Sequence, residues 1–288
     1  MYGVLKKLFN QSSFLTRWRK KLFLSKYEVK DIYNSYLSKS TKPTMTPYGF
    51  YLAGSSSIHH IAMQKGEFEP EETTLFMGQF EKSDIFVDIG ANIGFYSCLA
   101  KSTGKHVVAI EPLPKNLEYL MANLQANDWT DVEVFPLGLS SSSGLATLYG
   151  ASSTGASLIN SWAGASQFFK RTIPLTTLDI LLETRFNRRS IFIKVDVEGA
   201  EYSALLGATN TMKLNPKPTW VVEICLNEYH PDGMNPNYEN TFNLFWENGY
   251  EVRTADYNNK LITKADVQSW VKLGKCGSGT INYKFSPL

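Results

Sequence analysis

The chain is poor in cysteine, and its cysteines form no pattern. Cys98, Cys225 and Cys276 are odd in number, far apart and without CxxC or Cys/His spacing. Neither a disulfide framework nor a zinc site is therefore indicated, and a reducing compartment is the natural expectation. With 288 residues, of which 43% are hydrophobic, the chain can bury a sizeable core without either kind of cross-link.

Long apolar runs are also lacking. No stretch approaches the roughly 18 apolar residues that a membrane-spanning helix requires. Nor does the start resemble a secretory signal, because polar residues interrupt its apolar ones. We therefore expect a cytoplasmic protein.

Net charge is small, at +2, but it is unevenly distributed. Residues 1–30 contain eight Lys or Arg side chains against the single acid Glu28, so the rest of the chain is mildly acidic. This pattern predicts a basic amphipathic arm on an acidic body rather than a general nucleic-acid-binding surface. The arm could pack on the body or a partner, which we favour, or lie on anionic lipid as a peripheral membrane contact.

Beyond the arm, a connecting region (31–80) precedes a domain (81–288) in which short apolar runs alternate with amphipathic stretches. Strands are predicted near 85–89, 107–110, 132–135, 145–149, 191–195, 220–224, 250–254 and 280–285, and helices near 95–103, 115–127 and 199–212. Such alternation demands a doubly wound α/β fold with a mostly parallel sheet, in which ligands collect beyond the carboxyl ends of the strands. Residues 150–168, rich in Ser, Gly and Ala, are predicted to form a loop, either a lid over a pocket or a solvated excursion.

The turn after the first predicted strand carries a nucleoside-binding pattern. Gly90 and Gly94 lie where the chain must turn sharply, and Glu111 stands at the end of the second strand, where a carboxylate can accept both ribose hydroxyls. A dinucleotide-binding GxGxxG counted from Gly90 would require glycine at 92 and 95, where the chain has Asn92 and Phe95. Asp88, the acid before the glycines, would repel a pyrophosphate but suits a cationic sulfonium. S-adenosylmethionine is therefore the predicted ligand.

Five segments together resemble the FkbM-type methyltransferases, which are class I, Rossmann-like enzymes acting mostly on hydroxyl oxygens of sugars and other small molecules. These are VDIGANIGFYS, AIEPLPKNLEYLMANLQAN, IPLTTLD, FIKVDVEGAEYSALLGA and WVVEI, within about residues 66–225. The resemblance implies contacts to the methionine end, the ribose and the adenine in that order: Asp88, Gly90, Ala91, Asn92 and Gly94; Glu111; and Leu113, with Ser140 a further candidate at the adenine.

Methyl transfer to oxygen needs a group that takes the acceptor's proton, and carboxylates end the fourth and fifth core strands. We expect Asp196, Glu198 and Glu223 to be the catalytic candidates, with Asp196 or Glu198 as general base. The alternative for Glu198 is a structural one, stabilisation of a helix start. Asp196 and Glu223 could instead share a divalent metal, although no third ligand is evident from spacing.

The leading function is therefore O-methylation of a glycan or another small molecule. A nucleic-acid methyltransferase using the basic arm is a second class, which is disfavoured because VDVEG stands where amino-group methylating enzymes often carry Asn/Asp-Pro-Pro-Tyr/Phe. A non-catalytic cofactor-binding module is a third class. It would be expected to lose the loop glycines or Glu111, and this chain keeps them.

Overall fold

The computed structural model describes residues 41–55, 57–150, 155–164 and 169–288. The basic arm and its predicted membrane or partner contacts lie outside these ranges. Within them, no helix is both long enough and apolar enough to cross a membrane.

Short strands and helices alternate along the described residues. The strands are β1 (Thr44–Met45), β2 (Tyr51–Leu52), β3 (Ile85–Ile89), β4 (His106–Ile110), β5 (Glu133–Phe135), β6 (Gly138–Leu139), β7 (Gly144–Tyr149), β8 (Lys170–Thr176), β9 (Ile191–Val195), β10 (Thr219–Glu223), β11 (Tyr250–Thr254) and β12 (Asn282–Pro287). The helices are α1 (Ile58–Lys65), α2 (Pro70–Phe80), α3 (Phe95–Ser102), α4 (Pro114–Ala126), α5 (Leu178–Leu182), α6 (Glu201–Leu206), α7 (Tyr238–Glu247) and α8 (Lys264–Leu273).

Seven strands form the central sheet, in the order β11-β12-β10-β9-β3-β4-β5. The pairs from β10 to β5 are all parallel, whereas β12 runs antiparallel to both β10 and β11. This arrangement confirms the predicted doubly wound, mostly parallel α/β fold. The strand order reverses between β3 and β9, where Ile89 pairs with Val195 at the carboxyl ends. In open sheets of this kind that switch point is where a ligand-binding crevice opens.

The sheet is buried on both faces because successive side chains of each strand point in opposite directions. Phe86 of β3 and Phe192 of β9 pack with Phe76 and Phe80 of α2 in one core cluster. The neighbouring residues of β3 and β9 point to the opposite face of the sheet and belong to the other core cluster, which α6 and α7 cover. Full burial of each such ring contributes about 1.5–3 kcal/mol, so these two layers hold the carboxyl ends of β3 and β9 in a fixed register.

A separate three-stranded sheet, in the order β6-β8-β7, extends the fold beyond β5. Its β7 agrees with the strand predicted at 145–149, but β8 was not predicted. The helix predicted over 199–212 is shorter than expected, since α6 ends at Leu206 before Gly207. A Cβ atom on Gly207 would lie 2.1 Å from the carbonyl oxygen of Ser140, so the chain passes close to β6 at this point.

The described part of the connecting region packs directly on the α/β domain. The side chain of Asn123 in α4 accepts a hydrogen bond from Ala53 N–H (2.6 Å) and donates to the carbonyls of Ala53 and Ile93. Asn127, one turn later, makes the same paired contact with the backbone of Tyr51. These bonds fix the β1-β2 hairpin, and with it the approach to α2, against the glycine loop.

Candidate active site

The glycine loop between β3 and α3 is held by backbone packing that only glycine allows. Gly90 has φ +80°, and a Cβ there would lie 1.8 Å from the carbonyl oxygen of Asp196. Gly94 has φ +86°, and its Cβ would lie 2.3 Å from Leu120 Cδ1. Positive φ and close approach together exclude other residues at both positions. The loop therefore lies directly against the chain that leaves β9.

Glu111 is buried at the end of β4 and supports the same loop. One carboxylate oxygen accepts from Asn92 N–H and the other from Leu113 N–H, each at 2.8 Å. Burial raises the pKa of Glu111 to about 7, although these two backbone donors oppose that shift. Each oxygen retains a lone pair, so the carboxylate can still accept hydrogen bonds from a ligand.

A cleft of about 670 Å³, which we call the main cleft, opens at the switch point. Its lining residues come from the glycine loop, the end of β4, strands β6 to β8, the chain around 155–158 and the chain after β9: Ile89, Gly90, Asn92, Ile110, Glu111, Pro112, Asn116, Leu137, Gly138, Leu139, Leu148, Gly155, Ala156, Leu158, Ile173, Asp196, Val197, Glu198 and Ala200. Leu139, Leu148 and Ile173 contribute apolar lining, and Glu111 and Asp196 contribute carboxylates. An apolar lining with a few polar groups is typical of a small-molecule pocket.

Several residues expected at the cofactor lie behind the cleft wall. Ala91 and Gly94 shape the loop from within, and Leu113 packs on Leu148 and Ile173 rather than lining the cleft itself. Ser140 lies just past the lining residue Leu139, with its hydroxyl 2.9 Å from that of Ser203.

Asp88 is placed beneath the glycine loop and is almost fully buried. One carboxylate oxygen accepts from the Ser97 hydroxyl at 2.6 Å, and the other lies 3.9 Å from the ammonium nitrogen of Lys194. Burial raises the pKa of Asp88, an effect that Lys194 opposes. Asp88 therefore supports the glycine loop from beneath, together with Lys194.

That lysine is the main residue of the site that sequence reasoning missed. Lys194 lies in the middle of β9, is 7% exposed, and donates to Asp196 at 3.0 Å and to the carbonyl of Gly90 at 3.3 Å. Burial alone would lower the pKa of Lys194, yet the carboxylates of Asp196 and Asp88 hold it above its usual value. The signal was a charged residue inside the apolar run Ile191–Val195, which is costly unless the charge is paired.

A second and much smaller cavity lies on the other side of Asp196. Its lining residues come from α2 and its approach, α3, and strands β9, β10 and β12: Glu69, Glu72, Phe76, Tyr96, Lys194, Val195, Asp196, Val221, Glu223 and Asn282. Asp196 borders both the main cleft and this cavity, and about a third of its side chain is accessible to solvent. It is the one predicted catalytic carboxylate that lines both spaces.

Carboxylates dominate the second cavity. Glu69 accepts from the Tyr96 hydroxyl at 2.7 Å, and burial raises the pKa of Glu69 to about 7. Glu223 is near only the Cys225 thiol, at 3.7 Å, among the contacts described. Burial, followed by the negative charge of Asp196, raises the pKa of Glu223 well above its usual value.

Glu198 differs from the other two candidates because its oxygens already have partners. One accepts from Gly155 N–H at 3.0 Å and the other from the indole N–H of Trp162 at 2.8 Å. Glu201, which follows, accepts from the N–H groups of Val197 and Gly199 and so fixes the start of α6. Across the described residues, no group of three or more His, Cys, Asp or Glu side chains has the arrangement of a metal site.

The central sheet is open and mostly parallel, and a cleft opens at its switch point beside the glycine loop and Glu111. These features define a Rossmann-like nucleoside-binding protein. The sequence profile of the methyltransferase FkbM domain matches residues 88–252, which include every candidate catalytic residue. The chain belongs to this family, as the sequence resemblance predicted.

The individual proteins that this chain resembles share limited sequence identity with it. The chain is 34% identical over 147 residues to the hexuronic acid methyltransferase AglP of Haloferax volcanii, and the match covers 50% of this chain and 58% of the relative. An O-methyltransferase from Bacillus cereus, solved in complex with SAH, is 12% identical with a TM-score of 0.42, covering 75% of this chain and 80% of its own. A SAM-dependent methyltransferase from Agrobacterium tumefaciens is 8% identical with a TM-score of 0.41, covering 87% and 70%. These two likenesses are too distant to carry an argument.

Proposed function

We propose that this protein transfers a methyl group from S-adenosylmethionine to a hydroxyl oxygen of a sugar or a related small molecule. The observation that carries the proposal is the position of Asp196, which borders both the main cleft and the second cavity. A donor in the first space and an acceptor hydroxyl directed towards the second would meet at this carboxylate. Membership of a methyltransferase family supports the reaction type.

The residues of the main cleft fit S-adenosylmethionine. Glu111 would accept the ribose hydroxyls, Leu139 would flank the adenine, and the loop at Gly90 would hold the methionine end. The amide oxygen of Asn92 is buried and has no hydrogen-bond partner among the described residues, so it can accept from a ligand N–H or O–H there. S-adenosylmethionine supplies a methyl group already activated by a positive sulfur, which leaves the protein to orient the acceptor and remove its proton.

Proton removal is the role we propose for Asp196. Lys194 orients its carboxylate through one oxygen, and the other oxygen carries no hydrogen bond among those described, so it can accept from an acceptor hydroxyl. Glu223, across the second cavity, is a further candidate for contact with that hydroxyl. A hydrogen bond between the Glu223 carboxyl group and an acceptor hydroxyl would fix the orientation of the ring.

A sugar is the acceptor class we propose, because AglP is described as a hexuronic acid methyltransferase and the second cavity is lined by groups that hydrogen-bond hydroxyls. A nucleic-acid acceptor and a non-catalytic role are not favoured by the family. A methyl-donor assay over a panel of neutral, amino and uronic sugar glycosides tests this class. Methylation of RNA or DNA with no sugar product would contradict it.

Donor binding can be tested without the acceptor. At 100 times its dissociation constant, S-adenosylmethionine should stabilise the fold by about 2.7 kcal/mol, which corresponds to a rise in melting temperature of roughly 5 °C. NAD at the same concentration should leave the melting temperature unchanged, since the glycine spacing does not suit a pyrophosphate. Stabilisation by NAD alone would overturn the proposed donor.

Glu111→Gln is expected to weaken S-adenosylhomocysteine binding roughly ten- to hundredfold in calorimetry, since charge-assisted hydrogen bonds contribute about 1.5–3 kcal/mol each. The amide would also turn an NH₂ group towards Asn92 N–H or Leu113 N–H. Glu118→Gln on the exposed face of α4 is the matched control and should bind like the parent. Equal affinities for the two variants would remove Glu111 from the ribose site.

A further inference from the structure

The described segment 155–164, which we call the covering segment, is attached to β7 by two backbone hydrogen bonds between Tyr149 and Ser157, and to the chain after β9 through Glu198. Both carboxylate oxygens of Glu198 accept from it, one from Gly155 N–H and one from the Trp162 indole N–H. The backbone carbonyl of Glu198 accepts from the Ser157 hydroxyl at 2.5 Å. The acceptors of Glu198 are thus directed at a single stretch of chain.

This same segment forms a wall of the main cleft. Gly155, Ala156 and Leu158 line it together with Glu111 and Asp196. A bound nucleoside would therefore touch the covering segment directly.

The far end of the covering segment is anchored to the chain that follows β10. Ala163 N–H donates to the carbonyl of Tyr229 at 2.8 Å, and the Trp162 ring lies 6.2 Å from the ring of Tyr229. The fit against Gly199 is close, because a Cβ there would lie 2.5 Å from Trp162 Cζ3. Trp162 is 1% exposed, so its indole N–H depends on Glu198 for a partner.

The backbone at Glu198 supports a special role for this position. Its φ of +54° lies in the left-handed region, which non-glycine residues adopt only at a conformational cost. In this conformation both carboxylate oxygens of Glu198 are bonded to the covering segment, whereas Asp196, two residues earlier, is bonded to Lys194.

We propose that Glu198 is a positioning residue that holds the covering segment against the bound nucleoside and so determines how long donor and product stay in the main cleft. This inference rests on the proposed function. It assigns to Glu198 a role in residence time rather than in proton transfer, which leaves the proton to Asp196.

The experiment measures the dissociation rate of radiolabelled S-adenosylhomocysteine, chased with excess unlabelled ligand. Trp162→Phe removes the indole N–H together with part of the buried ring, and Glu198→Gln removes the charge while keeping the shape. Each should accelerate dissociation about tenfold, as expected for loss of a hydrogen bond to a charged group. Trp246→Phe on α7, whose ring packs on Phe242 away from the cleft, is the matched control and should release the ligand like the parent.

Circular dichroism and the ligand-free melting temperature establish that each variant is folded, and Glu198→Gln carries the test should Trp162→Phe not fold. Dissociation rates within about twofold of the parent in the folded variants would overturn the inference. So would a Glu198→Gln variant that transfers methyl groups slowly yet releases the product at the parental rate, since Glu198 would then act in the chemistry. A parent chain that does not bind S-adenosylhomocysteine would instead reject the proposed donor.

Discussion

Asp196→Asn is expected to lower the rate of methyl transfer at saturating donor by about a hundredfold or more, the range that general base catalysis contributes. The amide keeps the shape of the carboxylate and can still accept from Lys194, but it cannot take a proton from an acceptor hydroxyl. Calorimetry should give an S-adenosylhomocysteine dissociation constant within a few-fold of the parent value, because the change falls on the reaction and not on donor binding.

Asp232→Asn is the matched control, since Asp232 is an exposed carboxylate in the loop after β10. It should retain the parental rate with the same acceptor. A transfer rate for Asp196→Asn within a few-fold of the parent would remove Asp196 from proton transfer, and Glu223→Gln would then be the next variant to measure.

Lys194→Met is expected to reduce the free energy of unfolding by about 3–5 kcal/mol, because removing one partner of a buried ion pair leaves the other charge uncompensated. Asp88, Asp196 and Glu69 are the carboxylates that face this lysine. Urea denaturation, with circular dichroism as the signal, measures the loss.

The loss should depend on pH in a defined direction. Burial already raises the pKa values of Asp88 and Glu69 in the folded state, and removal of the lysine raises them further. A folded-state carboxyl with a raised pKa is stabilising when protonated, and that contribution is lost as pH rises. The deficit of Lys194→Met relative to the parent should therefore be larger at pH 8 than at pH 5.5. Lys272→Met on the exposed side of α8 should show no such deficit, and a deficit independent of pH would contradict the ion-pair account.

The sequence predicted the fold best at strands that are buried on both faces of the sheet. Strands β3, β4 and β9 are short, mostly apolar runs followed by glycine or acid, although β3 contains Asp88 and β9 contains Lys194. Such runs have few other interpretations in an alternating chain. β8 was missed because its seven residues bury only Ile173 and include Pro174, so neither a continuous nor an alternating pattern marks it. Helix α6 was predicted too long because its apolar spacing continues past Gly207, where contact with Ser140 ends the helix.

The sequence identified most residues of the site, but not how they are arranged in space. Glu111 and the glycines follow from chemistry that repeats at fixed positions along a βαβ unit. Which of Asp196, Glu198 and Glu223 faces which space depends on backbone dihedrals after β9 and on contacts with the covering segment, which lies some forty residues away in the sequence. Local patterns contain no information on such pairings. Lys194 did have a local signal, a charged residue inside an apolar run, which the sequence reasoning passed over.

The hairpin and helix α2 that precede the α/β domain have a practical consequence for the boundaries of a shortened protein. Phe50 and Leu52 are fully buried in the same cluster as Phe86, and Phe76 and Phe80 of α2 complete it. A recombinant fragment beginning at residue 81 would keep every methyltransferase motif yet expose the part of one sheet face that the hairpin and α2 cover. Such an apolar face invites aggregation, so trimming for expression or crystallisation should stop before Thr41.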